Sequence, residues 1–279
     1  MTLPGASLLR ALAVTTSLVG VTTCSAAPVA DAHRAVSVYD ATVSELSPKP
    51  PGAFDMYILA QSWQPAFCLG KEQQFPGCRA PQSYWRSHLT LHGLWPELAG
   101  SAPPSFCSGE AFDADKIERE LGIDALHQYW PDVKYSEASP QYADFWKHEW
   151  TRHGTCSGLE QVAYFTHAIN LERNETLAPT PQLVQDHVGG QVDVKTLRAA
   201  FGDAALKCQH SHGSGGVEGG AKHATVFSQV FTCWQKDARN VPTQRCPCPP
   251  HIHSEDTCGK GSVTIPAFPA AAAAANGDD

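Results

Sequence analysis

The sequence has little positive charge. Its 279 residues include 20 lysines and arginines against 28 aspartates and glutamates, which gives a formal charge of −8 at pH 7. This balance argues against a protein that holds a polyanion through a broad basic surface. The 13 histidines change the balance in acid, because protonation near a pKa of about 6.5 would reverse the sign of the net charge. We therefore expect the affinity for a polyanion to rise when the pH falls from 7.5 to 5 at fixed salt.

Long apolar runs are also scarce. One run, Ala11–Val21, follows Arg10 and precedes small residues at Cys24–Ala27, which is the arrangement of a cleaved secretory signal over residues 1–27. This run is too short to cross a bilayer, and no later run is long and apolar enough. We therefore expect no membrane-spanning segment in the mature protein, and either secretion or delivery to the lumen of a vacuole or lysosome.

Internal repeats and a central linker are absent as well, which favours a single folded domain. Residues 28–51 are small, polar and rich in proline, as in a flexible or processed leader. Residues 260–279 are rich in alanine and proline and predict a disordered tail. The folded domain is therefore expected over residues 52–259.

Cysteine, in contrast, is abundant, and ten cysteines are typical of a secreted protein rather than a cytosolic one. Cys24 is expected to leave with the signal peptide, so an odd number remains and one thiol is expected to be free or to pair between chains. Cys246 and Cys248, with Cys258 and two histidines nearby, could also bind zinc. The secretory compartment favours disulfides over this metal site.

The segment Phe145–Cys156, with the sequence FWKHEWTRHGTC, concentrates side chains that can carry chemistry. Ser139 and Pro140 predict the start of a helix, and Gly154 predicts its end. The helix would carry two imidazoles, a carboxylate and a guanidinium: His148, Glu149, Arg152 and His153.

The spacing of these side chains argues against a zinc hydrolase. Residues four apart share a helix face, which brings Glu149 beside His153 and His148 beside Arg152. The histidines of a zinc protease helix are also four apart, whereas His148 and His153 are five apart and lie about 140° apart around a straight helix. One zinc ion cannot bind both from such a helix.

A second segment, Leu89–Pro96, has the alternation of a strand. Leu89 and Leu91 point to one face, while Thr90 and His92 point to the other. The two segments together resemble the paired active-site segments of the ribonuclease T2 family of acid ribonucleases.

This resemblance is specific in the two segments and looser elsewhere. Both segments match at each defining position, with Arg152 where lysine is more common. Similarity extends from about Phe54 to Cys248 and includes Phe227–Cys233, where Gln229 replaces a more usual glutamate. It implies an α+β domain in which a central antiparallel sheet is flanked by helices and stapled by disulfides.

The resemblance also implies an activity, which is endonucleolytic cleavage of single-stranded RNA without a metal or other cofactor. Cleavage would proceed through a 2′,3′-cyclic phosphate to 3′-phosphate ends with low base specificity, and no protein partner is indicated. His153 would be the general base and His92 the general acid, and Glu149 would assist. The implied phosphate-binding and base-binding residues are His148 and Arg152, and Trp95 and Gln61, respectively.

One alternative is a protein that keeps this fold but binds RNA or signals without cutting it. Such a protein would be expected to lose a catalytic imidazole, and both His92 and His153 are present together with Glu149. The enzyme is therefore the favoured interpretation.

By the same resemblance, the cysteines form three bridges: Cys68–Cys78, Cys107–Cys156 and Cys208–Cys233. Cys246, Cys248 and Cys258 would then supply one further bridge and one leftover thiol. The residues do not choose among these pairings, and Cys246 and Cys258 are candidate members of the bridge.

Two further segments carry predictions. Asn174-Glu-Thr176 is a sequon in a loop between predicted helices, so we expect N-glycosylation at Asn174. Gln209–His223 is rich in glycine and histidine and resembles an insertion, for which a solvated loop is favoured over a metal site.

Overall fold

A computed structural model describes residues 49–210 and 224–269. The predicted signal peptide, the leader up to residue 48, residues 211–223 of the Gly/His segment and residues 270–279 of the tail lie outside this range. No helix in the described part of the chain is long and apolar enough to span a membrane.

The described residues form one seven-stranded sheet with strand order β2-β1-β5-β7-β3, and β4 and β6 also pair with β5. All strand pairs are antiparallel except β5 with β7, where Val226 lies opposite Thr264. The predicted α+β domain is therefore confirmed, with a sheet that is mixed at one pair. The strands are β1 (Met56–Ser62), β2 (Thr90–Glu97), β3 (Gln191–Asp193), β4 (Ala204–His210), β5 (Thr225–Lys236), β6 (Pro242–Cys246) and β7 (Ser262–Thr264).

The helices flank this sheet. They are α1 (Gln64–Cys68), α2 (Pro76–Arg79), α3 (Ala114–Leu121), α4 (Ile123–Tyr129), α5 (Asp144–Arg152), α6 (Gln161–Glu172), α7 (Gln182–Asp186), α8 (Val194–Phe201) and α9 (Pro250–His253). The segment from 64 to 86 reads as loop in the sequence, but it contains α1, α2 and a 3-10 turn. Pro65 and Pro76 start the two helices, because proline fits the first helical turn.

Tryptophan side chains fix α5 against the sheet. Trp146 and Trp150 are fully buried in a core shared with Tyr57 of β1 and Tyr164 of α6. Each indole N–H has a backbone acceptor, at 2.8 Å for Trp146 and 3.2 Å for Trp150, so no buried donor is left unpaired. Burial of these two indoles therefore fixes the orientation of α5 on the sheet.

The disulfides differ from the predicted set. Cys68–Cys78 and Cys107–Cys156 are present as predicted, but Cys208 pairs with Cys258 and Cys233 pairs with Cys248. A Cys208–Cys233 bridge is excluded by strand register.

On β5, Phe227 lies opposite Cys208, so Cys233 is six residues further along the strand. This is about 20 Å at strand spacing, whereas the observed Cys208–Cys258 bridge has a Cα–Cα distance of 4.7 Å. Cys246 is also disulfide-bonded, and none of the cysteines in the described ranges is free, contrary to the expected leftover thiol.

The folded domain extends further than predicted. Residues 260–269 were expected in the tail, but β7 pairs with β3 and β5, and Ile265 and Phe268 are buried. The indole of Trp63 donates to the carbonyl of Pro266 at 2.7 Å. The composition of this segment is typical of a disordered tail. Its pairing with β3 and β5 and the burial of its apolar side chains order it.

Candidate active site

The start and end of α5 follow the predicted signals only in part. The hydroxyl of Ser139 accepts from the backbone N–H of Gln141, and Pro140 opens a 3-10 turn that continues into α5. Gly154 does not adopt a left-handed conformation. It is required because a side chain there would overlap the ring of Trp150.

The predicted catalytic side chains come together between α5 and β2. Nε2 of His92 lies 3.8 Å from Oε1 of Glu149. The indole N–H of Trp95 donates to Oε2 of Glu149 at 2.8 Å. The Trp95 ring stacks on His153 at 5.2 Å and meets His92 edge-on at 5.0 Å. Trp95 thus contacts all three residues that the sequence assigns to catalysis.

Gly93 makes this close approach possible. A Cβ atom at this position would overlap the carboxyl group of Glu149 and the indole nitrogen of Trp95. A larger residue would therefore displace the side chain of Glu149 or Trp95 and disturb the hydrogen bond between them.

Gln229 on β5 orients His92. Its Oε1 lies 3.2 Å from Nδ1 of His92, and because an amide oxygen only accepts, Nδ1 carries the hydrogen. Nε2 is then left to face Glu149 and solvent. Comparison with the family pattern identifies Gln229 as a departure but does not predict this contact with His92.

Burial favours the uncharged forms of Glu149, His153 and His92. Glu149 is 1% exposed, and burial raises its pKa to about 8, although the bond from Trp95 and the charge of Arg152 act in the other direction. Burial is also the main reason that the pKa of His153 falls to about 3, assisted by the charges of Arg152 and His148. Burial lowers the pKa of His92, which the Gln229 hydrogen bond opposes.

A cleft of about 290 Å³ opens beside His92. The ring of Phe145 lies 5.8 Å from the His92 ring on one side of it. The other polar and charged residues that line it are Ser62, Gln64, Asp132, Lys134, Gln209, Ser228 and Gln229. The side chain of His92 is 31% exposed, and the cleft provides room for a ligand next to its imidazole.

Positive charge surrounds the site at its rim. Arg152 and His148 are exposed, as is Lys134, which the sequence analysis did not select. The pKa of His148 is lowered first by burial and then by the charges of Arg152 and Lys134. The only sequence signal for Lys134 is its place shortly after Trp130 and Pro131.

Gln61 does not line the cleft beside His92 but a separate pocket with Thr232 and Arg245, and its predicted contact with a base stays a prediction. It is 2% exposed, and its amide donates to Oε2 of Glu172 at 3.0 Å in the core. The pairing of β1 with β2 shifts between Ala60 and Gln61, and Ser62 rather than Gln61 lines the cleft. Trp95 does reach the site, but its ring contacts His92, His153 and Phe231.

The Gln61–Glu172 pair predicts a pH-dependent stability. Glu172 is 4% exposed, and burial raises its pKa well above the ordinary value of 4.5, against the smaller effect of the Gln61 hydrogen bond. The folded state therefore holds this proton more tightly than the unfolded state. Its contribution to stability is complete below pH 4.5 and is lost as the pH rises toward the raised pKa.

We expect the free energy of unfolding to fall less between pH 4 and pH 7 in Glu172→Gln than in the wild type, as measured by urea denaturation. Replacement of an exposed carboxylate, Glu110→Gln, is the matched control and should follow the wild type. Parallel curves for Glu172→Gln and the wild type would contradict the assignment.

Two imidazoles beside a buried carboxyl group at the edge of a cleft define a site for acid–base catalysis. Within residues 49–210 and 224–269, no group of three or more His, Cys, Asp and Glu side chains is arranged to hold a metal ion. The Ribonuclease T2 family model matches residues 54–241, and the chain belongs to this family. It is therefore an endoribonuclease of the T2 type.

Relatives and solved structures agree with this assignment. Ribonuclease MC of Momordica charantia is 38% identical over 221 residues, which cover 75% of this chain and 100% of that protein. Ribonuclease DdI of Dictyostelium discoideum is 36% identical over 139 residues, 48% of this chain and 56% of that protein. A crystal structure of an RNase MC1 mutant in complex with 5′-GMP superimposes with a TM-score of 0.53 at 26% identity, covering 76% of this chain and 99% of the other.

Proposed function

We propose that this protein cleaves single-stranded RNA endonucleolytically, first to a 2′,3′-cyclic phosphate and then to a 3′-phosphate, with low base specificity. The observation that carries the proposal is the placement of His92 and His153 on either side of Trp95, with Glu149 hydrogen-bonded to the indole between them.

The first step needs a base and an acid. The 2′-hydroxyl is an internal nucleophile, so positioning supplies part of the rate enhancement. His153 is neutral in mild acid because its pKa is lowered to about 3, and it accepts the 2′-hydroxyl proton. As the 2′-oxygen bonds to phosphorus, the bond from phosphorus to the 5′-oxygen breaks, and His92 donates a proton to that oxygen.

The developing charge of the phosphorane requires donors. Arg152, His148 and Lys134 supply positive charge at the rim. Glu149, with its pKa raised to about 8, is protonated in mild acid and can donate a hydrogen bond to a phosphoryl oxygen. A bound phosphodiester anion would in turn raise the pKa of His92 and favour the acid form.

The second step reverses these roles. His92, now neutral, accepts a proton from a water molecule whose oxygen bonds to phosphorus. The bond from phosphorus to the 2′-oxygen breaks, and His153 returns its proton to that oxygen. The products are a 3′-phosphate and a restored site, so one pair of imidazoles serves both steps.

The substrate is argued from the cleft and from a relative. Bases in a duplex are stacked and paired, whereas those of a single strand can enter a pocket such as the one beside His92 and Phe145. The complex of an RNase MC1 mutant with 5′-GMP supports nucleotide binding on this fold.

Digestion of polymeric RNA in EDTA tests the proposal. We expect cleavage at pH 5 with 2′,3′-cyclic phosphate ends, and no cleavage of a DNA strand of the same sequence, which lacks the 2′-hydroxyl. Loss of activity in EDTA would indicate a metal enzyme. Absence of cleavage by folded, disulfide-bonded protein would favour the alternative of an RNA-binding protein without catalysis.

Gln229→Glu should shift the pH profile of kcat/KM. A carboxylate beside Nδ1 would raise the pKa of His92 by its negative charge, and His92 acts in its protonated form. The alkaline limb of the profile should therefore move to higher pH. Gln229→Leu, which removes the acceptor, should move the limb to lower pH, and coincident profiles for both variants would contradict the role of Gln229.

We also propose that the chain enters the secretory route and is exported or held in a vacuole or lysosome. The signal-like residues 1–27 and the disulfides support this proposal. Oδ1 of Asn174 accepts from the N–H groups of Thr176 and Leu177, which leaves the amide nitrogen free for glycosylation. Enzymatic deglycosylation of the secreted protein should lower its mass, and Asn174→Gln should abolish that difference.

A further inference from the structure

One wall of the cleft is built by a short segment that leaves α4 and then returns to it. Residues 131–134 follow shortly after the end of α4, and all four line the cleft. Further along the chain, Oε2 of Glu137 lies 3.5 Å from Nδ1 of His127, which belongs to α4. We call residues 131–136 the wall segment. The contact between Glu137 and His127 closes this segment into a loop.

Hydrogen bonds to backbone carbonyls hold the start and the middle of the wall segment. The indole N–H of Trp130, the residue just before it, donates to the carbonyl of His92 at 2.9 Å. The N–H of Gly77 donates to the carbonyl of Val133 at 3.0 Å, and a side chain at Gly77 would overlap the backbone of Val133. The start of the segment is therefore attached to an active-site histidine.

The carboxylate of Glu137 holds the far end with both of its oxygens. Oε1 accepts from the side-chain amide of Gln82, and Oε2 faces Nδ1 of His127. The His127 ring is 7% exposed and packs on Tyr142 at 4.5 Å and on Trp146 at 6.2 Å. Among the residues that the structure describes, Nε2 of this ring has no hydrogen-bond partner. Glu137 therefore provides the polar contact of a buried imidazole that the aromatic core holds in place.

We propose that Glu137 and His127 are positioning residues, which fix the wall segment and thereby set the affinity of the cleft for the nucleoside on the 3′ side of the scissile phosphate. This inference rests on the proposed function, in which His92 protonates the oxygen of that departing nucleoside. The nucleoside must then lie beside His92, where the cleft opens. Neither Glu137 nor His127 lines the cleft, so both act through residues 131–134.

Loss of this anchor should weaken binding without slowing the chemistry. A wall segment that is loose in the free enzyme must be ordered each time a nucleoside binds, and this cost raises KM. The reacting groups His92 and His153 make no described contact with Glu137 or His127, so kcat should not change. A 2′,3′-cyclic nucleotide has no 3′-side nucleoside. Its hydrolysis should therefore be insensitive to the anchor.

The test compares Glu137→Ala with the wild type on a dinucleotide and on a 2′,3′-cyclic nucleotide, both in EDTA. We expect KM for the dinucleotide to rise about fivefold at unchanged kcat, which is the upper range for a partly exposed pair. Both constants for the cyclic nucleotide should match the wild type. Glu137→Gln should restore the dinucleotide KM, because an amide can still hydrogen-bond to Gln82 and to the imidazole.

Two further variants sharpen the test. Glu120→Ala is the control, because it removes a carboxylate of similar exposure, 52% against 48%, that pairs with Arg119 on α3. It should match the wild type on both substrates. His127→Phe keeps a packed ring but removes the nitrogen that faces Glu137. If the two residues act as one anchor, this variant and the double variant His127→Phe/Glu137→Ala should both raise KM as much as Glu137→Ala does.

A binding measurement separates this inference from the proposed function. The probe is the same dinucleotide without the reactive 2′-hydroxyl, titrated at pH 5. About fivefold weaker binding by Glu137→Ala, restored in Glu137→Gln, would support the anchor even if no cleavage occurred. Equal binding by Glu137→Ala and the wild type would overturn it. So would an equal rise of KM on the cyclic nucleotide, or effects of the two single variants that multiply in the double variant.

Discussion

His153→Ala is expected to lower kcat/KM for RNA by about a thousandfold, the usual size of a general acid–base contribution. The reason is physical: burial lowers the pKa of His153, so its imidazole is neutral in mild acid and can accept a proton. Alanine at this position removes the proton acceptor. Both steps should slow, since His153 also donates the proton in hydrolysis of the cyclic phosphate. Initial rates on polymeric RNA and on a 2′,3′-cyclic nucleotide, measured separately in EDTA, check the two steps.

The control for this variant is His167→Ala, which removes a histidine on α6 that belongs to none of the contacts described for the site. It should retain wild-type rates, and circular dichroism should show that both variants are folded. A folded His153→Ala protein with near wild-type activity would remove His153 from the mechanism. Equal losses in both variants would point to a general effect of histidine replacement.

Removal of the Cys107–Cys156 bridge should lower the free energy of unfolding by about 4 kcal/mol. The cysteines are 49 residues apart in sequence, and the chain-entropy relation for a loop of that length gives this magnitude. Urea denaturation of the double variant Cys107→Ser/Cys156→Ser without reductant measures it. Activity should fall as well, because the bridge holds the segment that follows His153.

The matched comparison is Cys68→Ser/Cys78→Ser. That bridge closes a separation of 10 residues, for which the same relation gives about 3 kcal/mol. It lies in a core cluster with Trp85 and Val133 rather than at the end of α5. The second variant should therefore lose less stability and keep more activity, and the reverse order would contradict the role assigned to the Cys107–Cys156 bridge.

The site was predictable from sequence where its parts are local. The spacing of His148, Glu149 and Arg152 on one helix and the alternation around His92 each depend on a few neighbouring residues, and the structure confirms these placements. Glu149 and His153 both contact Trp95, as their shared face suggests, although His153 lies just beyond the last residue of the helix.

Register and long-range pairing could not be predicted in the same way. Gln61 turns into the core because the pairing of β1 shifts at Ala60, and no local pattern marks such a shift. Cys208 pairs with Cys258 because β5 displaces Cys233 along the sheet. Lys134 reaches the cleft because of the way α4 and the following loop pack, and its position in the sequence does not predict this.

The central position of β5 has a consequence for the order in which the enzyme becomes active. β1 and β2 are made early, but β5, which pairs with β1 and carries Gln229, is synthesised after both active-site segments. Contacts between such distant parts of the chain form late. Until they form, the nascent chain exposes apolar surface and unpaired strand edges to solvent. A ribosome-bound chain that ends before Thr225 already contains both histidines, yet it lacks the strand that holds the His92 ring. We therefore expect nuclease activity to arise near the end of translation and not when the two histidine-containing segments first emerge.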